Sequence, residues 1–385
     1  MLLQSSVQSI FSMSEEWKTI PFEKSIEKVK YTSKIASSEY LKEGTYPIVS
    51  QEEGLISGYW NNSDDVFRLS KPVVIFGDHT RTLKYVDFDF VLGADGVRIL
   101  QPIEQIDTKF LLYYLQSCKI PSLGYSRHYK LLKDLNVPIP FLAEQKHIVA
   151  ELDCLSDIIE KQKQQLKELD NLVQSIFYTT FGDPTSNNFG WKNRRLGEMV
   201  NSNMIGLTRS GSEQDASYKY LYFKMNNIGN EGGVDWSKTT RVNACAQEVE
   251  KYTLKEGDFL FNTRNSFELV GKTCVYPHID GEICLFNNNI MRIDFKKEIN
   301  ATYMAYLFQD KYTKNQLDRI KKGTTSVWAI YYKDLEKIDI LVPDIALQEE
   351  FAFKVAAIEK QKEIIKQSIE EAETLFNSRM DYYFN

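Results

Sequence analysis

The stretch EQKHIVAELDCLSDIIEKQKQQLKELDNLVQSIFYTTF, from Glu144 to Phe181, decides how the rest of the chain is read. Its apolar residues Ile148, Val149, Leu152, Leu155, Ile159, Leu166, Leu169, Val173 and Ile176 advance by alternating steps of three and four, with Gln162 as the one polar break. That spacing is a heptad seam, the mark of a helix that buries a narrow stripe against another helix. Moving 203 positions along the chain gives a second seam, Phe351, Val355, Ile358, Ile365, Ile369, Ala372 and Phe376, interrupted by Lys362 and Arg379. The chain carries its own partner for the first helix.

The repeat extends beyond the seams. Lys133-Asp134-Leu135 recurs as Lys333-Asp334-Leu335, and Pro140 and Gln145 recur as Pro343 and Gln348. Trp17-Lys18 and Trp191-Lys192 open the two segments that lie between helices, and Val7-Gln8-Ser9-Ile10-Phe11 is repeated residue for residue at Val173 to Phe177. Glu160 to Lys163 also recurs as Glu359 to Lys362, one helical turn out of step; the longer register governs because it aligns the whole apolar seam. The order expected is a first domain over 1–143 that opens on a short helix tip (1–13), a spacer helix over 144–181, a second domain over 182–343 and a second spacer helix over 344–385.

Geometry then sets the helix directions. A spacer of this length spans roughly 55 Å at 1.5 Å per residue, whereas the intervening domain should be only about 38 Å across. The second helix must therefore start near the end of the first and run back. The expected fold is α+β: two similar mixed α/β domains separated by two long antiparallel coiled-coil helices, a pseudo-two-fold internal repeat. Within the domains, Lys71 to Gly77 and Gly257 to Phe261 read as buried strands bounded by turn residues. Ile99-Leu100 and Ile290 to Ile293 read as later strands, each followed by a short amphipathic helix, Lys109 to Gln116 and Ala301 to Asp310.

Composition bounds the function. With 385 residues and 43% apolar content, the chain can bury sizeable cores. No apolar run reaches the roughly 20 residues that span a bilayer, and the first residues lack a signal-peptide pattern, so a cytoplasmic protein is expected. The five cysteines, Cys118, Cys154, Cys245, Cys274 and Cys284, form no CxxC pair and read as reduced thiols. The net charge of -6 is carried wholly by the stretches 144–181 and 346–385, each with three more acidic than basic residues, so the rest of the chain is neutral and charge neither supports nor excludes DNA binding.

These residues together resemble the specificity subunit family of type I restriction-modification systems. The resemblance covers nearly the whole chain: the tryptophan-led domain starts, Gly44-Thr45-Tyr46-Pro47-Ile48-Val49-Ser50, Lys255-Glu256-Gly257-Asp258-Phe259-Leu260, Val137-Pro138-Ile139-Pro140 through Glu144-Gln145, and Phe181-Gly182-Asp183-Pro184. No single motif is specific; their order, given twice around two heptad helices, is. The resemblance implies two target-recognition domains that read a bipartite, asymmetric duplex site. It also implies helices that carry two adenine-methylating (M) subunits, with ATP-driven restriction (R) subunits joining them. It implies no cofactor in this chain, S-adenosylmethionine, ATP and Mg being bound by the partners.

The catalytic motifs such a complex needs are missing from the sequence itself. There is no glycine-rich methyl-donor bend with an Asn/Asp-Pro-Pro-aromatic loop, no GxxxxGK[ST], and His79, His128, His147 and His278 are isolated, so no catalytic or metal residues are expected. DNA contact is expected in polar loops beside the strands, because base edges are read by Arg forks and short polar side chains. One loop class follows the buried strand, with His79, Arg81 and Lys84 in the first domain and Asn262, Arg264, Asn265 and Ser266 in the second. The other precedes the Lys-Asp-Leu copies, with Ser126, Arg127, His128 and Tyr129, then Lys321, Lys322, Thr324, Thr325 and Ser326. Gly124 and Gly323 fall at equivalent points of this second class. Surplus apolar positions on the helices, Leu172, Phe177, Phe181, Leu375, Met380 and Phe384, are the candidate docking positions for partner subunits. The remaining alternative is a coiled-coil interaction scaffold without DNA specificity.

Overall fold

Two 40-residue helices, Leu142–Phe181 and Ile345–Phe384, are the longest elements of the chain. The computed structural model describes residues 17–385 apart from 95, 125, 230, 231, 278 and 280. The expected helix tip at 1–13, its Val7 to Phe11 copy and His278 therefore lie outside the described residues. The chain divides into two compact units, Met1–Lys163 with Gln367–Asn385, and Gln164–Lys366. Each unit holds one part of each long helix.

In the first unit the two helix segments run antiparallel. Glu151 pairs with Arg379 at 2.7 Å and accepts a hydrogen bond from the Tyr383 hydroxyl, while Lys163 pairs with Glu373 at 2.7 Å. Gln162, the polar break in the seam, donates through Nε2 to Ser368 Oγ at 2.6 Å. The second unit shows the same sense: Asp170 meets Lys362 at 2.7 Å, and Phe177 and Phe181 pack edge-on against Phe351. Each polar interruption of the heptad thus has a polar partner across the seam, as its burial beside apolar neighbours requires.

The first unit is built on two sheets. A three-stranded antiparallel sheet places Val73–Gly77 between Leu83–Val86 and Val97–Leu100. A four-stranded sheet runs Gly58–Trp60, Tyr46–Val49, Phe90–Leu92, Val66–Phe67, with its middle pair parallel. The helix Thr108–Ser117 covers the first sheet, and its face of Phe110, Leu111 and Leu115 joins Phe22, Val74, Phe76 and Leu100 in one core with Ile148, Leu152 and Met380 of the long helices. Strand Thr19–Pro21, just after Trp17, pairs antiparallel with Asn136–Pro138, just before the long helix.

The second unit repeats this construction with insertions. Lys192–Arg195, after Trp191, pairs antiparallel with Asp339–Val342. A four-stranded sheet runs Val200–Ile205, Ile290–Phe295, Phe259–Asn262, Thr273–Val275. Helix Ala301–Gln309 packs on it, closing a core in which Phe259, Phe261, Tyr303, Phe308 and Leu335 meet Phe177, Phe181 and Phe351. A three-stranded sheet, Arg241–Val242, Tyr220–Phe223 and Cys284–Phe286, forms a smaller layer.

Local sequence explains the recurrent helix starts. Asp107 Oδ1 accepts from Lys109 N at 2.9 Å and Phe110 N at 3.1 Å; Asn300 Oδ1 accepts from Thr302 N at 2.9 Å and Tyr303 N at 3.4 Å. Both are N-caps that satisfy the donors a first helical turn leaves open.

Candidate nucleic-acid interface

The two loop classes singled out by composition are drawn together in each unit, and by the same backbone bond. In the first unit the strand Val73–Gly77 ends at Asp78, whose carbonyl accepts from His128 N at 2.7 Å. In the second, Phe259–Asn262 ends at Thr263, whose carbonyl accepts from Ile330 N at 2.9 Å. The residue after the strand is anchored alike: Asp78 N donates to Gly96 O at 2.7 Å and Thr263 N to Asn289 O at 2.8 Å. Asp78 and Thr263, and likewise His128 and Ile330, hold equivalent places.

Around this shared clamp the side chains diverge. In the first unit Asp78 is buried, accepts from Arg98 Nε and Nη2 at 3.2 Å each, and accepts from Tyr129 N at 2.7 Å. The Arg98 guanidinium lies 4.9 Å from the centroid of the Tyr129 ring, a cation–π contact. His128 is buried, with Nε2 accepting from Leu123 N at 2.9 Å. That bond leaves Nδ1, 3.0 Å from Asp78 O, as the donor. In the second unit the two loops form a small sheet instead, Arg264–Asn265, Trp328–Ala329, Lys322–Gly323, with Trp328 edge-on to Phe267 at 5.0 Å.

The candidate residues separate by which way they face. Arg81, Ser126, Arg127, Arg264, Lys322, Thr324, Thr325 and Ser326 are exposed, and His79, Tyr129, Asn265 and Ser266 are half-buried. Arg81 sits at φ 65 and sends Nη1 to Ile120 O at 2.9 Å, a left-handed conformation that ordinary residues adopt only when their surroundings impose it. His79 N donates to Gln51 Oε1 at 3.2 Å. Gly124 needs its glycine for φ +66, whereas at Gly323 a Cβ would come within 2.4 Å of Val327 O.

Other candidates point inward. Lys84 is 6% exposed and donates to the carbonyls of Ser50 and Gly54, so its ammonium serves the protein's own backbone; burial pushes its pKa down. Asn262 is fully buried and ties Arg264 O and Asn289 O together through Nδ2, while Lys321 folds back on Phe267 O and Asp318. His128 belongs to this inward group. For these residues the loop composition reads correctly as polar, but the polar groups satisfy neighbouring main chain and do not face solvent.

The apolar docking candidates divide likewise. Phe177 and Phe181 lie in the second unit's own core, with Phe181 4.7 Å from Tyr303, and Met380 and Phe384 lie against the first unit's core, Phe384 5.4 Å from Phe110. The helix ends dock on their own domains, which corrects their reading as outer-face positions. Leu172 and Leu375, equivalent in the repeat, are 45% and 47% exposed.

The sequence reading missed Asp78, Arg98 and Gln51, which hold the first unit's loops in place. Asp78 was the one visible signal, an acid immediately after a buried strand and beside a basic loop. Among the described residues no group of three or more His, Cys, Asp or Glu is placed to hold a metal ion, and no helix is long and apolar enough to cross a membrane.

A repeated α+β unit, a heptad helix pair and two clamped polar loops per unit define a class of proteins with duplicated recognition domains. The chain belongs to the family described as the type I restriction modification DNA specificity domain, whose profile matches residues 14–171 and 188–374. It is 22% identical over 311 residues to the type I restriction enzyme EcoKI specificity subunit of Escherichia coli (strain K12), a match covering 75% of this chain and 66% of that protein. It is 21% identical over 386 residues to the MjaVIII specificity subunit of Methanocaldococcus jannaschii, covering 93% and 90%. In fold it is similar to the S subunit of a type I restriction-modification system from M. genitalium, with TM-score 0.63, 15% identity and 96% of each chain covered. It is also similar to a chain solved for the assembly and conformational transition of a type I R-M system, with TM-score 0.51, 16% identity, and 98% and 99% covered.

Proposed function

We propose that this chain is the DNA-reading subunit of a type I restriction-modification complex, with each unit reading one half of a bipartite, asymmetric duplex site. The observation that carries this reading is the clamp: in both units the same backbone bond, Asp78 O to His128 N and Thr263 O to Ile330 N, holds two polar loops side by side. Arg81 and Arg127 in one unit, and Arg264 with Thr324 to Ser326 in the other, then offer exposed donors and acceptors suited to phosphates and base edges.

The reaction belongs to partners. Adenine N6-methylation would be done by two methyltransferase subunits carrying S-adenosylmethionine, and cleavage by restriction subunits using ATP and Mg. The exposed, repeat-equivalent Leu172 and Leu375 support docking of like partners on equivalent places of the two helices. Helix length would set the number of base pairs between the two half-sites.

Adenine-methylation mapping of cells with the chain present and deleted tests the proposal. A bipartite motif that loses methylation on deletion is expected; a methylome unchanged by deletion contradicts it.

A further inference from the structure

We infer that His128 is a positioning residue for base selection by the first unit, acting through the segment Leu123 to Arg127 without touching DNA itself. The inference rests on the proposed DNA-reading function and goes beyond it by naming how one reading loop is held.

Three observations converge on this side chain. His128 is 1% exposed, so it is not available to a duplex. Both of its ring nitrogens are engaged, Nε2 by Leu123 N at 2.9 Å and Nδ1 with Asp78 O at 3.0 Å. The ring is therefore a strut between the end of strand Val73–Gly77 and a loop that is otherwise exposed, from Ser122 to Gly124 and at Ser126 and Arg127.

The second unit supplies the contrast. At the equivalent place Ile330 makes the same backbone bond but has no side-chain donor or acceptor, and its loop is instead ordered by strand pairing of Trp328–Ala329 with Arg264–Asn265 and Lys322–Gly323. The first unit has no such strand pairing among its described loop residues, so the imidazole does there what a sheet does in the other copy. Asp78 is the second half of the strut: its carboxylate holds Arg98 and Tyr129 N, fixing the carbonyl that His128 grips. A group placed an ångström from its productive position loses much of the discrimination that a well-placed contact gives.

The test is selection of bound sequences from a random duplex library by the full chain, compared for wild type, His128→Ala, His128→Gln and Leu123→Pro, with thermal melting of each. His128→Gln keeps one acceptor and one donor; Leu123→Pro removes the N–H that the ring receives while leaving His128 in place, at the cost of the leucine side chain and a fixed φ. His128→Ala and Leu123→Pro are expected to lower base preference in one half of the selected site about tenfold, the worth of a good base contact, with the other half unchanged, and His128→Gln to restore most of it. Should His128→Ala fail to fold, Leu123→Pro decides alone. Unchanged preference in both halves, or equal loss in both, overturns the inference. A wild-type chain that selects no bipartite sequence defeats the proposed function itself, a result distinct from either.

Discussion

Gln145 and Gln348, 203 positions apart, are both fully buried and make the same three hydrogen bonds. Gln145 Nε2 donates to Pro140 O and Gln105 O, each at 2.8 Å, and its Oε1 accepts from Asp107 N at 2.8 Å. Gln348 donates to Pro343 O at 2.8 Å and Glu298 O at 3.0 Å, and accepts from Asn300 N at 2.9 Å. In each copy one amide locks the start of a long helix to the N-cap of the short helix that covers the sheet.

Replacing either glutamine by leucine should therefore be costly and equally so. Two carbonyls and one N–H would lose their partners, that of Pro140 or Pro343 in buried surroundings and the other two part-buried, at roughly 1–3 kcal/mol for a fully buried group and less for the others. We expect Gln145→Leu and Gln348→Leu each to lose about 3 kcal/mol in urea unfolding, with the affected transition belonging to the mutated unit. A loss well under 1 kcal/mol would show that water replaces the amide.

The helix-end aromatics and the exposed leucines should behave oppositely. Phe177 is buried among Tyr303, Phe181 and Phe351, and Phe177→Ala should destabilise by about 3–5 kcal/mol. Leu172→Ala and Leu375→Ala should leave unfolding within about 0.5 kcal/mol, as for other surface changes, yet weaken capture of a methyltransferase subunit in pull-down titrations. Full retention of capture by the double variant would remove these leucines from the docking surface.

Arg264 and Lys84 form a second opposed pair. Arg264→Ala should leave the melting curve unchanged and cost about 1–3 kcal/mol of discrimination in a single half-site, read by competition binding with half-site variants. Lys84→Ala would strip the donor from Ser50 O and Gly54 O and should lower stability before it alters which bases are chosen. Equal weakening of both half-sites by Arg264→Ala would refute the assignment of that loop to one half.

Lys362 interrupts the apolar seam, and its environment predicts a pH dependence. Burial works against its charge, but hydrogen bonds from the ammonium to Asp170 and Glu359 outweigh this and raise its pKa above the ordinary 10.5. A raised lysine stabilises fully below 10.5 and loses that contribution as pH climbs from there through the folded value. Lys362→Leu should flatten this alkaline fall in urea midpoint, while at neutral pH its stability should stay within about 1 kcal/mol of wild type, since a leucine continues the seam. An alkaline slope identical in the two proteins would rule out the pair as its source.

How much of this was legible follows from what a linear pattern can carry. The heptad seam, the buried strands ending at Gly77 and near Phe261, and the short helices after Leu100 and Phe295 depend on periodicity and turn residues, and those survive in one dimension. Facing does not. Lys84 and Arg81 lie three residues apart in one polar run, yet one is inside the strand Leu83–Val86 and the other is in a left-handed turn. Nothing in composition tells an inward lysine from an outward one. Phe177 and Leu172 both looked surplus to the seam; only the docking of the helix end on Tyr303 separates them. The Asp78–Arg98–His128 arrangement joins positions from three distant segments, so no local spacing could reveal it.

If helix length sets the spacing of a two-part site, as proposed, inserting one heptad into each long helix must change that spacing. Adding seven residues in phase to both Leu142–Phe181 and Ile345–Phe384 lengthens each by about 10 Å, near three base pairs of duplex. Adenine-methylation mapping of cells carrying that variant should return the same two half-sites with a spacer about three base pairs longer. An active variant whose spacer matches wild type would show that the helices do not set the distance between half-sites.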